Sequence, residues 1–243
     1  MDWFLRFITS SIGQKVVMSL TGLFLISFLA VHLVGNLQLL TLDEGTSFND
    51  YAYFMTTNPV IGGLSYGLYA GFLLHAIQGL ALWYRNRQVS AGGQTRYAVN
   101  AIQSASKHAP ARSSTHAALL GTIILVFLGI HMGDFWYSMK FTDDIEMVAT
   151  AGHPAGVKNL YYKVSQSFSQ WWIVLIYVIS MVVLAFHLMH GFWSAFQTLG
   201  LNHRKYTPLL KAAGVVYSIV VPLAFAAIPV YMYFQIYNGA IAI

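Results

Sequence analysis

The stretch that decides the fold is FLAVHLVGN, residues 28–36, which places His32 inside a long apolar run. About 20 apolar residues are enough to cross a hydrocarbon layer about 30 Å thick, and the run around His32 extends over residues 16–40. An ionisable side chain inside such a helix is costly, and it usually faces the interior of the bundle and serves a function there. The stretch therefore predicts a membrane helix with a functional histidine in it.

Four further segments have the same apolar character. Hydrophobic residues make up 57% of the 243 residues and charged residues 9%, whereas an ordinary soluble domain has about 25% charged residues. The sequence therefore predicts an all-α integral membrane protein that forms a single transmembrane domain over residues 1–243. Its five transmembrane helices are predicted at about 16–40, 60–84, 117–138, 171–198 and 209–236.

Charged residues divide unequally between the two sides of the predicted bundle. By the positive-inside rule, the side with most of the Lys and Arg is cytoplasmic, so we expect the N-terminus inside and the C-terminus outside. The net charge of +5 then reflects topology, and no nucleic-acid partner is predicted. Ten of the thirteen basic residues lie on this side: Arg6, Lys15, Arg85, Arg87, Arg96, Lys107, Arg112, Arg204, Lys205 and Lys211.

The chain contains no cysteine. This excludes iron–sulfur ligation, covalent c-type haem attachment and thiolate copper sites within the chain, and it leaves histidine as the main candidate ligand for a redox centre. The two longest predicted loops, about 85–116 and 139–170, hold neither a dinucleotide-binding fingerprint nor a phosphate loop. We therefore expect the function to lie within the bilayer or to involve a partner.

Nine histidines occur, and four of them, His108, His116, His153 and His203, fall in loops or at helix ends, where a solvated side chain is expected. The five inside predicted spans are His32, His75, His131, His187 and His190. Singly, each could simply hydrogen-bond a neighbouring helix. Their flanking residues, however, repeat along the chain.

The repeat has two parts. In helices one and three a glycine stands ten residues before the histidine and a phenylalanine four before it: Gly22 and Phe28 before His32, and Gly121 and Phe127 before His131. In helices two and four a glycine follows four residues later and a tryptophan further on: Gly79 and Trp83 after His75, and Gly191 and Trp193 after His187. Because residue i+4 lies one turn along the same face, this glycine leaves room beside the imidazole for a flat group. The chain thus resembles two copies of a helix pair.

Helix geometry assigns the histidines to two depths. At about 1.5 Å per residue, His32 and His131 share an outer level and His75 and His187 an inner level, roughly 12–16 Å apart. Two neutral imidazoles at one depth on different helices are what bis-imidazole ligation of a haem iron requires. The other nitrogen of each ring can donate to a carbonyl one turn back, which fixes the tautomer. We expect two haems b, the outer held by His32 and His131 and the inner by His75 and His187.

His190 could replace His187 as the ligand on helix four, because it lies about 60° around the helix and one turn away. The repeat favours His187, since only that choice reproduces the glycine four residues later. His190 then either contacts a haem propionate or bonds a neighbouring helix. Arg85, Arg87 and Arg204 are near the inner end, where they either meet propionates or act as solvated anchors.

Several motifs together are similar to those of a known family, the cytochrome b membrane-anchor subunit of succinate:quinone oxidoreductase and fumarate reductase, in its single-chain, five-helix, di-haem form. The resemblance covers nearly the whole chain. The motifs are GLFLISFLAVHLVGN, LLHAIQG, GTIILVFLGIHMGDFW, FHLMHGFWSAFQTLG and FNDYAYFM. It implies ligands from the first four helices, which map onto His32 and His131 for the distal haem and onto His75 and His187 for the proximal one. Ser19, Arg85 and His190 are further cofactor-binding candidates.

The resemblance also implies partners and a reaction. A flavoprotein with covalent FAD would interconvert succinate and fumarate, an iron–sulfur protein would dock on the cytoplasmic loops, and electrons would pass through the haems to a quinone, with menaquinone preferred to ubiquinone. The chain would then be the quinone-reacting subunit of succinate dehydrogenase or fumarate reductase, embedded among the lipids of the bacterial cytoplasmic (inner) membrane. Some relatives have a glutamate where this chain has Ala185, so the transmembrane proton path of those relatives is not expected here. Asp50 and Asp134 are weak candidates for a quinone site, with solvated acids as the simpler interpretation.

Two alternatives remain open. The chain could be the cytochrome b subunit of another respiratory complex, such as a hydrogenase, formate dehydrogenase or nitrate reductase. It could also be a proton-coupled or metal-ion transporter, since intramembrane histidines occur in both. The absence of carboxylates from the span centres argues against a transporter.

Overall fold

Five long apolar helices account for most of the chain. In the computed structural model, which describes residues 2–41, 43–92, 112–241 and 243, all five are long and apolar enough to cross a membrane. The predicted spans are confirmed, and the largest difference is at the start of the first, which was expected near residue 16 and begins at Ser11. The five helices are α2 (Ser11–Asn36), α4 (Pro59–Gly92), α5 (Arg112–His131), α8 (Trp171–Thr198) and α9 (Thr207–Tyr237).

Short elements connect the long helices. A two-residue antiparallel ribbon in the loop before α7 pairs Met147 with Lys158 and Val148 with Val157, and the sequence did not predict it. The short elements are α1 (Asp2–Thr9), a 3-10 turn (Leu37–Leu40), α3 (Thr46–Thr57), a π-helical segment (Met132–Tyr137), α6 (Ser138–Phe141), β1 (Met147–Val148), β2 (Val157–Lys158) and α7 (Leu160–Phe168).

Helices α2 and α4 are antiparallel. The start of α2 meets the end of α4, where Arg85 Nη1 donates to Gln14 Oε1 at 2.7 Å. Further along, Gly22 of α2 lies against the ring of His75 of α4. We call the end of the bundle near Gln14 the basic end, because Arg6, Lys15, Arg85, Arg204, Lys205 and Lys211 lie near it in the chain, and the opposite end, which carries α3, the ribbon and α7, the loop end.

Helix α9 packs along α8 and also bonds α2. A Cβ at Gly214 would stand 2.7 Å from the ring of Phe192, so the absence of a side chain lets α9 approach α8 closely. Tyr217 Oη donates to the carbonyl of Ile26 at 2.5 Å, which joins α9 to α2. Met232 near the end of α9 is fully buried. The fifth helix therefore supports the other four by packing.

A hydrophobic cluster closes the loop end of the bundle. Side chains from the 3-10 turn, α7, α8 and α9 meet there, so the short elements between the spans are packed against the long helices. Its buried members are Leu39, Tyr161, Val164, Phe168, Val174, Tyr177, Ile228 and Met232.

The last turns of the third span depart from a regular α-helix. Residues Met132–Tyr137, directly after His131, form a π-helical segment. A π-segment changes the direction in which the following side chains point, and such segments are frequent at functional sites. Here Trp136 Nε1 donates to Tyr69 Oη at 2.8 Å, which joins α5 to α4 across the bundle.

Asn49 fastens α3 to α7 at the loop end. The side chain is 2% exposed. Its Oδ1 accepts from the backbone N–H of Tyr161 at 2.9 Å, and its Nδ2 donates to Oδ1 of Asn159 at 3.1 Å. Asn159 Oδ1 in turn accepts from the backbone N–H of Tyr162 and so caps α7. The buried side chain of Asn49 therefore bonds both the backbone of α7 and Asn159, the residue that caps α7.

The substitution Asn49→Ala should destabilise the protein by about 1–3 kcal/mol, because it leaves the buried N–H of Tyr161 without an acceptor. The measurement is thermal unfolding in detergent, followed by circular dichroism. Asn202→Ala, which removes an exposed amide from the loop between α8 and α9, should leave the melting temperature within experimental error. Equal melting temperatures for wild type and Asn49→Ala would contradict the proposed role of Asn49.

Candidate functional site

Four histidines of the spans form two close pairs. The ring centres of His32 and His131 are 5.8 Å apart with an interplanar angle of 86°. Those of His75 and His187 are 6.2 Å apart with an angle of 77°. These are the two pairs that the sequence predicts. All four side chains are half-buried, whereas His190 is exposed and His187 is the residue opposite His75.

The repeated phenylalanines pack against the histidines of their own helices. The rings of Phe28 and His32 are stacked, with centres 5.2 Å apart and planes 18° apart. Phe127 also lies against His131, with centres 5.9 Å apart and the two planes tilted by 30°. Phe225 of α9 covers His32 from another side at 5.6 Å, a contact that the sequence pattern did not reveal.

The glycines ten residues before His32 and His131 lie against the histidines of the other pair, His75 and His187. A Cβ on Gly22 would stand 3.2 Å from Cε1 of His75, and one on Gly121 would stand 3.6 Å from Cε1 of His187. Each of these glycines therefore belongs to the helix of an outer histidine but makes room for an inner one. The two contacts also show that α5 packs against α8 as α2 packs against α4. The repeat in the sequence thus corresponds to a repeat in helix packing.

The rings also have polar neighbours, and these differ from the expected carbonyls one turn back. His75 Nδ1 lies 3.2 Å from the hydroxyl of Thr21 on α2, and His131 Nδ1 lies 3.2 Å from the hydroxyl of Tyr177 on α8. Near His32, Asn36 Nδ2 donates to the backbone carbonyl of His32 at 2.7 Å and lies 3.3 Å from Nδ1. Hydrogen bonds of this kind to a ring nitrogen fix the orientation of the ring.

Two imidazoles in this arrangement can share one metal ion. With metal–nitrogen bonds of about 2 Å, an ion bound between two imidazoles holds the ring centres roughly 6 Å apart. Both observed separations, 5.8 and 6.2 Å, agree with that spacing. Within the described part of the chain, no group of three or more His, Cys, Asp and Glu side chains is arranged to hold an ion.

The remaining candidate residues are placed separately in the basic half of the bundle. Ser19 is 6% exposed and donates its hydroxyl to the carbonyl of Lys15 at 2.9 Å. Arg85 is exposed and bonds Gln14, while Arg204 lies on the surface of the loop before α9. Arg96 and Lys107, like the side chain of Arg87, lie outside the described residues.

Asp134 lines a surface cavity at the loop end. Its Oδ1 accepts from Lys163 Nζ at 2.8 Å, and both side chains are about a quarter exposed, at 24%. The cavity has a volume of about 550 Å³ and is also lined by Gln166, Gln170 and Trp172. Because Asp134 is only three residues from His131, this cavity opens near the outer histidine pair.

Asp50 belongs instead to a clasp between α3 and the loop at 149–153. Its Oδ1 accepts from the hydroxyl of Thr150 and from Nδ1 of His153, the latter at 3.0 Å. Tyr53 packs on the ring of His153, with centres 4.2 Å apart. The hydrogen bonds from Thr150 and His153 hold the pKa of Asp50 below its usual value. These contacts give Asp50 a structural role, because it holds the 149–153 loop against α3.

Comparison with protein-family models, with curated proteins and with solved structures finds no match to this chain. What the chain does must therefore be inferred from its residues and their arrangement. The described residues provide paired imidazoles inside an apolar bundle, a cavity lined by both polar and apolar side chains at one end, and basic side chains at the other.

The substitution Asp50→Asn should loosen the 149–153 loop in a pH-dependent way. Because the pKa of Asp50 is lowered in the folded protein, its charge stabilises the clasp above the ordinary value of 3.8, and this contribution is lost as the pH falls through the folded value. Hydrogen–deuterium exchange should give lower protection of this loop in Asp50→Asn than in wild type at pH 7 and the same protection in strong acid.

Asp143→Asn is the matched control for the clasp, because Asp143 is an exposed acid before the same ribbon. It should leave protection of the 149–153 loop unchanged. A wild-type loop that is no better protected than the Asp50→Asn loop at neutral pH would contradict the clasp.

Proposed function

We propose that the chain is the di-haem cytochrome b membrane-anchor subunit of a succinate:quinone oxidoreductase. It would pass electrons between an iron–sulfur partner and membrane quinone, with menaquinone preferred. The observation that carries the proposal is the presence of two imidazole pairs, each spaced for one iron, in a repeated helix pair. The motifs that resemble those of this subunit family give the proposal its particular reaction.

The donor set fits haem iron. Histidine imidazole is a common protein ligand of haem iron, and two imidazoles can hold one haem between them. In this proposal His32 and His131 hold one haem, and His75 and His187 hold the other. Ring-centre distances of 5.8 and 6.2 Å leave space for one iron in each pair.

The surroundings of the rings support a flat group beside them. A Cβ at Gly191, one turn after His187 on the same helix face, would meet nothing within 4 Å. At the corresponding position after His75, a Cβ at Gly79 would stand 3.3 Å from the flexible end of Met18. Gly191 thus leaves room beside the ring of His187, and beside His75 the end of Met18 would have to move.

When bound, haem supplies reversible one-electron oxidation and reduction at its iron. The protein residues hold and surround it. The imidazoles ligate, Phe28 and Phe127 keep two of the rings in position, and the apolar helices exclude water. In the same proposal Ser19, Arg85, Arg204 and His190 are the candidates for polar contacts with the edges of the haems.

The proposed orientation places the basic end in the cytoplasm, as the positive-inside rule requires. The N-terminus is then inside, the C-terminus outside, and the membrane is a bacterial inner membrane. An iron–sulfur subunit and a flavoprotein subunit with FAD would dock at the basic end, and these partners would carry the dicarboxylate chemistry.

For the quinone, Asp134 is a better candidate than Asp50. Asp134 and its partner Lys163 line the cavity of about 550 Å³ at the loop end, together with polar Gln166 and Gln170. A quinone headgroup needs a few placed polar groups in an otherwise apolar cleft. Asp50 is already bonded within the clasp.

The alternatives differ in what purifies with the chain. A molybdenum protein or a hydrogenase as partner would favour another respiratory cytochrome b, and a flavoprotein with covalent FAD favours the proposal. Membranes without a b-type absorption band after reduction with dithionite would leave the transporter as the remaining interpretation.

Replacing His32, His75, His131 or His187 singly by Leu should lower the haem content from about two to about one per chain, because one haem would lose one of the two histidines that would hold it. The measurement is the pyridine haemochrome assay on purified protein, normalised to protein concentration. Circular dichroism should establish that each variant is folded.

His190→Leu is the matched control, because His190 is a histidine of the same helix but is exposed and lies outside the pair. It should keep both haems. If His190→Leu loses a haem while His187→Leu keeps both, the ligand assignment on α8 is wrong. A folded wild type that stays colourless with ample haem would contradict the proposed function as a whole.

Asp134→Asn should raise the KM for a menaquinol analogue severalfold and leave the haem content unchanged, since the substitution removes a charged group from the cavity at the loop end. The assay is quinol oxidation by the intact complex. Asp50→Asn should leave this KM unchanged. The quinone assignment fails if both substitutions, or neither, change the KM.

A further inference from the structure

The hydroxyl of Thr21 lies between its own helix and the ring of His75. Its Oγ1 is 2.8 Å from the carbonyl oxygen of Val17 and 3.1 Å from that of Met18. The same oxygen is 3.2 Å from Nδ1 of His75, on the neighbouring helix α4. One hydroxyl thus contacts two carbonyl oxygens and one ring nitrogen.

The contact distances, together with a count of hydrogens, indicate the direction of the bond to His75. A hydroxyl has one hydrogen to donate, and a carbonyl oxygen can only accept. The shortest contact is with Val17, so the hydroxyl hydrogen goes to the helix carbonyl. Thr21 Oγ1 then faces His75 with a lone pair, and Nδ1 must carry the hydrogen of this bond. Since a neutral imidazole has one N–H, Nε2 carries the lone pair.

The packing of the ring agrees with this direction. A Cβ on Gly22 would stand 3.2 Å from Cε1 and 3.7 Å from Nδ1 of His75. The Nδ1–Cε1 edge of the ring therefore packs against α2, and the absence of a side chain at position 22 allows it.

We propose that Thr21 is a positioning residue that holds His75 with its hydrogen on Nδ1 and its lone pair on Nε2, available to a metal that His187 shares. The tautomer follows from the contacts of Thr21 alone. The use of Nε2 as a haem ligand rests on the proposed function.

Comparison of the two repeats shows that the hydrogen bond with a threonine hydroxyl is specific to His75. Thr21 stands eleven residues before His32, and the residue eleven before His131 is Leu120. Leu120 has no hydroxyl, so His187 receives no such bond from α5, although Gly121 packs against it just as Gly22 packs against His75. The two ligands of the inner pair therefore differ in their support.

The bond has a consequence for a bound iron. An imidazole whose Nδ1–H donates to an acceptor is a more basic ligand at Nε2. A more basic ligand favours the oxidised metal. Removing the acceptor should therefore shift the midpoint potential of that centre to a higher value and leave the other centre unchanged.

The first test needs no haem. In full-length protein prepared without haem and labelled with ¹⁵N-histidine, solid-state NMR distinguishes a protonated Nδ1 from a protonated Nε2, and the His75 signals are identified by their loss in His75→Gln. Wild type and Thr21→Ser should have the hydrogen on Nδ1. Thr21→Val, which removes the hydroxyl but keeps the side-chain shape, should shift His75 towards the Nε2–H form.

Thr122→Val is the matched control. Thr122 on α5 donates its hydroxyl to the carbonyl of Ala118 at 2.9 Å, as Thr21 does to its own helix, and it is exposed. This substitution should leave the His75 signals unchanged. A Thr21→Val protein with the wild-type tautomer would overturn the proposal, and Thr21→Ala provides the same comparison if Thr21→Val does not accumulate.

The second test uses the haem-loaded complex. Redox titration of the α-band should give one of two midpoint potentials shifted upwards in Thr21→Val, with Thr21→Ser and Thr122→Val like wild type. An unchanged titration at full haem content would overturn the effect on the ligand. A wild type without haem would refute the proposed function, and the NMR comparison would still decide the tautomer.

Discussion

The structure depends on the need to give each intramembrane imidazole a polar or aromatic neighbour. A polar ring in an apolar environment is costly unless it is paired, so the helices that carry histidines must face one another at fixed heights. His32 meets His131 and His75 meets His187, which sets the register of α2 with α5 and of α4 with α8. Hydroxyls of Thr21 and Tyr177 add bonds to one ring of each pair. The remaining helix, α9, has no histidine and contributes packing.

The repeat in the sequence corresponds to a repeat in packing, but the repeated glycine contacts a histidine of the neighbouring helix and not the one on its own helix. The glycine ten residues before an outer histidine does not make room for that histidine. It makes room for the inner ring of the antiparallel neighbour, as Gly22 does for His75 and Gly121 for His187. Spacing within one helix can identify such a glycine but cannot identify its contact, because the contact depends on the register of two helices.

The spans and the histidine pairs follow from the sequence because both depend on quantities that add up along one helix. Apolar length gives the five spans, and a rise of about 1.5 Å per residue gives the two depths. Other features depend on the meeting of distant segments. Asn49 and Asp50 are explained by residues about 100 positions later in the chain, and Phe225 reaches His32 only because α9 packs beside α2. The π-helical turn after His131 has no signal in composition.

The two halves of the bundle are held in different ways. A third of the most apolar window of α8 and of α9 is buried, 33% in each, whereas the corresponding shares are 6% for α4 and 0% for α5. Helices α8 and α9 are thus the more deeply buried spans, whereas α4 and α5 leave most of their apolar surface exposed; the hydrogen bond from Trp136 to Tyr69 joins the third span to α4. Because α4 and α5 carry His75 and His131, a group bound within each histidine pair would add contacts to the spans that are least buried in the protein. Its binding would then also stabilise the positions of these two helices.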